Sequence, residues 1–123
     1  MFQGLRTNIF RVKSQDLDKA KKWYAKLLGK EPYFDEPFYV GFNVGGFELG
    51  LDPADEKVIV GNNVQIYWGV PNVEKAYAHC LKFGAETDSE PKNVGGKINV
   101  VTVRDPFGNI FGLIENPDFR IEK

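Results

Sequence analysis

The chain has 123 residues, with 16 Lys and Arg against 17 Asp and Glu and a formal net charge of −1. That length fits a single domain, residues 1–123, able to bury its own core, and a near-neutral charge without a basic stripe argues against nucleic acid or an anionic membrane as partner. No apolar run approaches the ~20 residues that span a bilayer, residues 1–6 lack a signal-peptide pattern, and the single cysteine, Cys80, excludes an internal disulfide and fits a reducing cytoplasm.

The first strand is predicted over residues 5–12, with Thr7, Ile9 and Arg11 on one face and Phe10 and Val12 on the other, because side chains alternate. A helix follows over 16–28. Asp16 or Asp18 starts it, Gly29 stands where a left-handed cap is expected, and Leu17, Ala20, Tyr24, Leu27 and Leu28 form its apolar stripe. Strands are then predicted over 31–35, 38–44 and 47–51. Pro32 and Pro37 limit the first of them, and Gly45-Gly46 makes a tight hairpin between the last two. Residues 52–63, with Pro53 and Gly61-Asn62-Asn63, read as a linker.

The pattern then repeats. Residues 64–70 alternate as a half-buried strand, and Asn72 caps a helix over 73–83 that Gly84 ends. Its buried stripe is Val73, Ala76, Tyr77, Cys80 and Leu81. A weak strand near 85–88 and stronger ones over 97–104 and 109–115 follow. Between the last two, Asp105-Pro106-Phe107-Gly108 has the residues of a type I turn. Asp18-Lys19-Ala20 corresponds to Glu74-Lys75-Ala76, and Leu28-Gly29 to Phe83-Gly84. Two copies of a unit this long point to a paired, pseudo-symmetric sheet rather than a solenoid.

Two segments make the likeness specific. Asp16-Leu17-Asp18-Lys19-Ala20-Lys21-Lys22-Trp23-Tyr24, closing at Leu28-Gly29, and Asp105-Pro106-Phe107-Gly108-Asn109-Ile110-Phe111-Gly112-Leu113-Ile114-Glu115 resemble the first helix and last hairpin of the glyoxalase, bleomycin-resistance and extradiol dioxygenase (vicinal oxygen chelate) superfamily. The resemblance implies an α+β fold. Two βαβββ repeats, about residues 5–52 and 63–116, would form a curved mixed sheet around a cavity. It also implies a homodimer and a small organic ligand, while leaving open which chemistry is served, because the superfamily spans many.

Metalloenzymes of that superfamily carry ligands on the first and last strand of each half. Here those positions fall on Ile9 or Thr7, on Glu48 or Gly50, on Gln65, and on Gly112, where the metalloenzymes carry Glu. Only Glu48 and Gln65 have donor side chains suited to Ni, Zn, Mn or Fe. His79 shares a helix face with Lys75 and Lys82 and reads as solvated. Glu115 has the opposite strand parity from Gly112 and reaches the same face only through a bulge. The expectation is therefore no cofactor and no family-type metal site. The cavity lining expected instead is Ile9, Arg11, Tyr39, Glu48, Gln65, Tyr67, Val101, Ile110 and Gly112, with Arg11 and Glu48 as a plain ion pair in the bland reading. Two functions follow: a metal-free small-molecule-binding protein, of which drug sequestration is one form, or a metal-dependent lyase or dioxygenase of glyoxalase I type. Whether a reaction is catalysed stays open.

Overall fold

Alternating burial along the first strand separates two faces, one under a helix and one open. In the computed structural model, which describes residues 1–55 and 57–121, β1 runs Thr7–Lys13. Val12 is buried and Phe10 half-buried, whereas Ile9 and Arg11 are exposed. A 3-10 turn at Ser14–Asp16 leads into α1, Leu17–Leu28, which buries Ala20, Tyr24 and Leu27 at helical spacing. Asp16 stands at the cap position without a capping hydrogen bond. Asp18 pairs instead with Lys22 at 2.9 Å and Lys21 at 3.6 Å, and Lys22 beside it holds its carboxyl below the usual value. Gly29 closes the helix in the left-handed conformation, as expected.

The first unit continues with β2, Phe34–Glu36, β3, Tyr39–Val44, and β4, Phe47–Ala54. Its sheet has the order β1-β4-β3-β2, with β1 and β4 parallel and the other neighbours antiparallel. Gly45 and Gly46 both take positive φ, 61° and 92°, and make the expected β3–β4 hairpin. Strand β4 is longer than predicted and runs through Pro53. At that point it pairs only with β1, because its register with β3 ends near Leu51, so the missing N–H breaks no second ladder.

The second unit repeats the order with β5, Tyr67–Gly69, α2, Val73–Lys82, β6, Glu86–Gly95, β7, Ile98–Arg104, and β8, Ile110–Glu115. Its sheet is β5-β8-β7-β6, again with the outer first strand parallel to the last strand of the unit. The backbone falls into two compact units that divide between Ile59 and Val60. Each is one βαβββ repeat of an α+β fold. Asn72 caps α2 by accepting from the Lys75 amide at 2.9 Å, as predicted.

Two predicted strands change length. The strand expected over residues 64–70 is only Tyr67–Gly69, which leaves Gln65 outside it. The weak strand expected near residues 85–88 is ten residues long. Its pairing with β7 shifts register between Ser89 and Lys92, around Pro91, and bulges are where an interior proline is tolerated. Cores form under the helices: Val40, Phe42, Leu49 and Leu51 in the first unit, and Val101, Val103 and Phe111 in the second. Among the described residues no helix is long and apolar enough to cross a membrane.

Candidate functional site

The face of the first sheet turned away from α1 is built around a pair of glycines. Register places Gly41 opposite Gly50 across β3 and β4, and Ile9 opposite Gly50 across β1 and β4. A Cβ on Gly50 would lie 1.9 Å from the Tyr39 hydroxyl, and one on Gly41 would lie 2.7 Å from Glu48 Oε2 and 3.1 Å from the Tyr33 ring. The floor is empty of side chains, and three neighbours fold into the space.

They converge on one carboxylate. Glu48 Oε1 accepts from Thr7 Oγ1 at 3.2 Å and from the Tyr39 hydroxyl at 3.0 Å, and the Tyr33 hydroxyl donates to Oε2. Thr7 is the register partner of Glu48 on β1. Tyr33 is held by its own amide, which donates to the Gly41 carbonyl at 2.9 Å. The hydrogen bond to Glu48, then burial, raises the Tyr33 phenol above its ordinary value. For Tyr39 burial comes first and Glu48 second, and the phenol is pushed well up. Both phenols remain proton donors at neutral pH.

Arg11 does not pair with Glu48. It stands four positions beyond Thr7 along β1, so its register partner is Asp52, whose carboxylate lies 3.5 Å from the guanidinium. The ion pair expected between Arg11 and Glu48 is replaced by Arg11 and Asp52. Phe34, opposite Gly41, borders the same face and packs against Tyr39 at 6.1 Å and Phe38 at 5.9 Å between ring centroids. The sequence reading missed Thr7 and Tyr33 as hydroxyl donors. Thr7 is legible only through its register with Glu48, and Tyr33 lies just before a strand.

The second unit has its own glycine under a tyrosine. Tyr67 is the register partner of Gly112, and its ring would stand 2.4 Å from a Cβ there. Ile110 is half-buried on the same face by parity. Gln65 is exposed and donates to the Ile66 carbonyl at 3.1 Å. Val101 pairs with Leu113, which puts it on the opposite, helix-covered face and corrects its expected place in the lining. Thr102 takes that place as the partner of Gly112; its hydroxyl donates to Asp88 at 2.8 Å, and Asp88 pairs with Arg104 at 3.3 Å. Asp88 falls within an irregularity of the β6–β7 register, which periodicity alone does not reveal.

Two titratable groups weighed in the sequence, His79 and Glu115, lie elsewhere. His79 is exposed on α2 and stacks edge-on with Phe83 at 4.9 Å. Glu115 accepts from the Val73 amide at 3.0 Å, where a carboxylate complements the start of α2. No register shift brings it to the face of Gly112.

The four positions at which the resemblance implies metal ligands do not fit a divalent ion. At the first, Ile9 has no donor atom and Thr7 gives its hydroxyl to Glu48; at the second, Gly50 has no side chain and Glu48 is engaged by three hydroxyls; at the third, Gln65 turns its amide to the neighbouring Ile66 carbonyl; at the fourth, Gly112 has no side chain and lies under Tyr67. Among the described residues no group of three or more His, Cys, Asp or Glu could hold a metal.

A family model described as Glyoxalase/Bleomycin resistance protein/Dioxygenase superfamily matches residues 8–113. Among solved structures, a protein from Bacillus anthracis described as a glyoxalase family protein is similar at a TM-score of 0.79 and 17% identity, covering 94% of this chain and 97% of that one. A glyoxalase-related enzyme from Fulvimarina pelagi gives 0.78 at 17% identity, covering 98% and 94%. The fosfomycin resistance protein FosX from Listeria monocytogenes gives 0.76 at 18% identity, covering 96% and 97%. At these identities the likeness is one of fold. No curated protein matches the sequence.

Proposed function

The chain belongs to the Glyoxalase/Bleomycin resistance protein/Dioxygenase superfamily, and from that membership we propose that it binds a small organic molecule without using a catalytic metal. The observation that carries this reading is the Tyr39 hydroxyl standing where a Gly50 side chain would begin and donating to Glu48. A metal taken by Glu48 would have to displace the three hydroxyls that donate to it. What the face offers instead suits a small molecule: an aromatic border of Phe34 and Phe38, a carboxylate with ordered hydroxyls, and the Arg11–Asp52 pair to fix orientation.

The same reading makes the protein a cytoplasmic homodimer. It is supported by the lone, buried Cys80 and by exposed apolar side chains such as Ile59 and Val64 that a second copy would cover.

The test is metal retention by untagged protein dialysed against Ni, Zn, Mn and Fe(II), with melting curves in EDTA and in each metal. The expected result is no retained metal and no shift. A metal at ~100 times its Kd stabilises by about 2.7 kcal/mol, so true binding raises the melting point by several degrees. One metal per chain with such a rise replaces this reading with a metal-dependent lyase or dioxygenase of glyoxalase I type. With no metal bound, a small-molecule screen that includes fosfomycin, prompted by the FosX likeness, identifies the ligand.

A further inference from the structure

The character of the cluster on the first sheet follows from where its protons lie. Thr7, Tyr33 and Tyr39 each donate a hydroxyl hydrogen bond to Glu48. A hydroxyl whose proton is committed shows only lone pairs to anything else. A carboxylate has about four acceptor positions, and the three hydroxyls fill two on Oε1 and one on Oε2, which leaves one open on Oε2. Asp52 adds a second carboxylate on the same face, and Arg11, the cation nearest to it, is already turned toward it. Around Glu48 the polar atoms are therefore mostly acceptors, and the Arg11 guanidinium lies farther along β1, beside Asp52. Beside these acceptors stand the rings of Phe34 and Phe38, the latter 65% exposed.

Acceptors next to aromatic rings select a cation that carries N–H groups. A neutral alcohol brings one donor and further lone pairs, and an anion placed at Glu48 brings only acceptors to a carboxylate; an ammonium or amidinium satisfies several acceptors and is attracted by the ring faces. We propose that this face recognises an organic ammonium or amidinium ion, with its N–H groups on Glu48 and on the hydroxyl oxygens of Tyr33 and Tyr39 and its carbon body on Phe34 and Phe38. The inference rests on the small-molecule reading above and gives it a ligand class.

Isosteric probes test the inference: benzylammonium and benzamidinium as cations, benzyl alcohol as the neutral analogue and benzoate as the anion, each titrated at low salt into isotopically labelled full chain and followed by NMR. The expected result is that the cations shift the amide signals of Thr7, Gly41 and Gly50 and bind at least tenfold more tightly than benzyl alcohol, while benzoate leaves those signals in place. Glu48→Gln keeps the shape and weakens the cations roughly 10-fold to 100-fold, the worth of a charge-assisted hydrogen bond. The probe series on the unaltered protein decides the matter if that variant does not fold. Binding of benzyl alcohol or benzoate to this face as tightly as the cations overturns the inference and leaves the small-molecule reading standing. If no cation binds at millimolar concentration the inference falls; a neutral or anionic screen compound that shifts the same signals then preserves the broader reading, and the lack of any removes both.

Discussion

The hydroxyl of Tyr39 occupies the position at which a side chain on Gly50 would begin, 1.9 Å from the ideal Cβ. The two residues lie on neighbouring antiparallel strands, and the tyrosine reaches back across β4 to Glu48 because nothing stands in its way. Gly50→Ala therefore forces Tyr39 off Glu48. We expect a loss of ~1–3 kcal/mol in urea unfolding, the range for overpacking, and a much smaller loss when the same change is made in a Tyr39→Ala background. Costs that add to within about 0.5 kcal/mol would show that the two sites are independent and the contact immaterial.

The tyrosines that serve Glu48 give a pH signature. Their phenols are raised in the folded chain, so above pH ~10, where unfolded tyrosine ionises, the folded state binds more protons than the unfolded one. Stability contributed by these groups is full below that pH and declines as pH rises toward their folded values. Tyrosinate absorbance should show Tyr33 and Tyr39 ionising late, identified by Tyr33→Phe and Tyr39→Phe. Glu48→Gln should return Tyr33 toward the ordinary value and leave Tyr39 high, because burial dominates the latter. Equal responses of the two to Glu48→Gln would contradict that division.

Much of this face was legible from alternation. Thr7, Ile9 and Arg11 fall on one side of β1, and Glu48 and Gly50 on one side of β4, as a period of two requires. Parity also kept Glu115 away from Gly112. What alternation cannot supply is register between strands. Alternation puts Arg11 and Glu48 on one face without showing that Arg11 meets Asp52, or that Thr7 is the partner of Glu48. The face of Val101 likewise depends on its partner on β8, Leu113, which alternation within β7 does not reveal. The length of β6 was hidden for a different reason: Pro91 and Gly95 lower its strand propensity, and the pairing with β7 overrides it.

Cys80 is 4% exposed, and burial pushes its thiol up to about 11. The thiolate is the reactive form, so Ellman's reagent at mildly alkaline pH should label native protein only as fast as the chain opens. In denaturant one thiol per chain should react at once. Rapid labelling of the native chain would place the sulfur in an accessible setting and contradict its burial.

The turn before β8 depends on a buried carboxylate. Asp105 is 3% exposed and accepts from the amides of Phe107 at 2.9 Å and Asn109 at 2.8 Å, and from Asn109 Nδ2 at 3.0 Å. Asp105→Ala leaves these donors without their acceptor and should cost about 2–4 kcal/mol. Asp105→Asn keeps an oxygen for the two amides and should cost less. Urea midpoints for the two variants check the order; an alanine variant as stable as the original would mean that Pro106 and Gly108 suffice to make the turn.

Strand β8 comes last in its unit but lies between β5 and β7. Its removal would not trim an edge. It would cut the second sheet in two, leaving β5 with no hydrogen-bonded neighbour and α2 without the carboxylate at its first amide. A protein clipped by a protease at the Asp105 turn should accordingly hold its two fragments together through many backbone hydrogen bonds, and on dilution the released C-terminal piece should be able to restore the sheet by re-insertion.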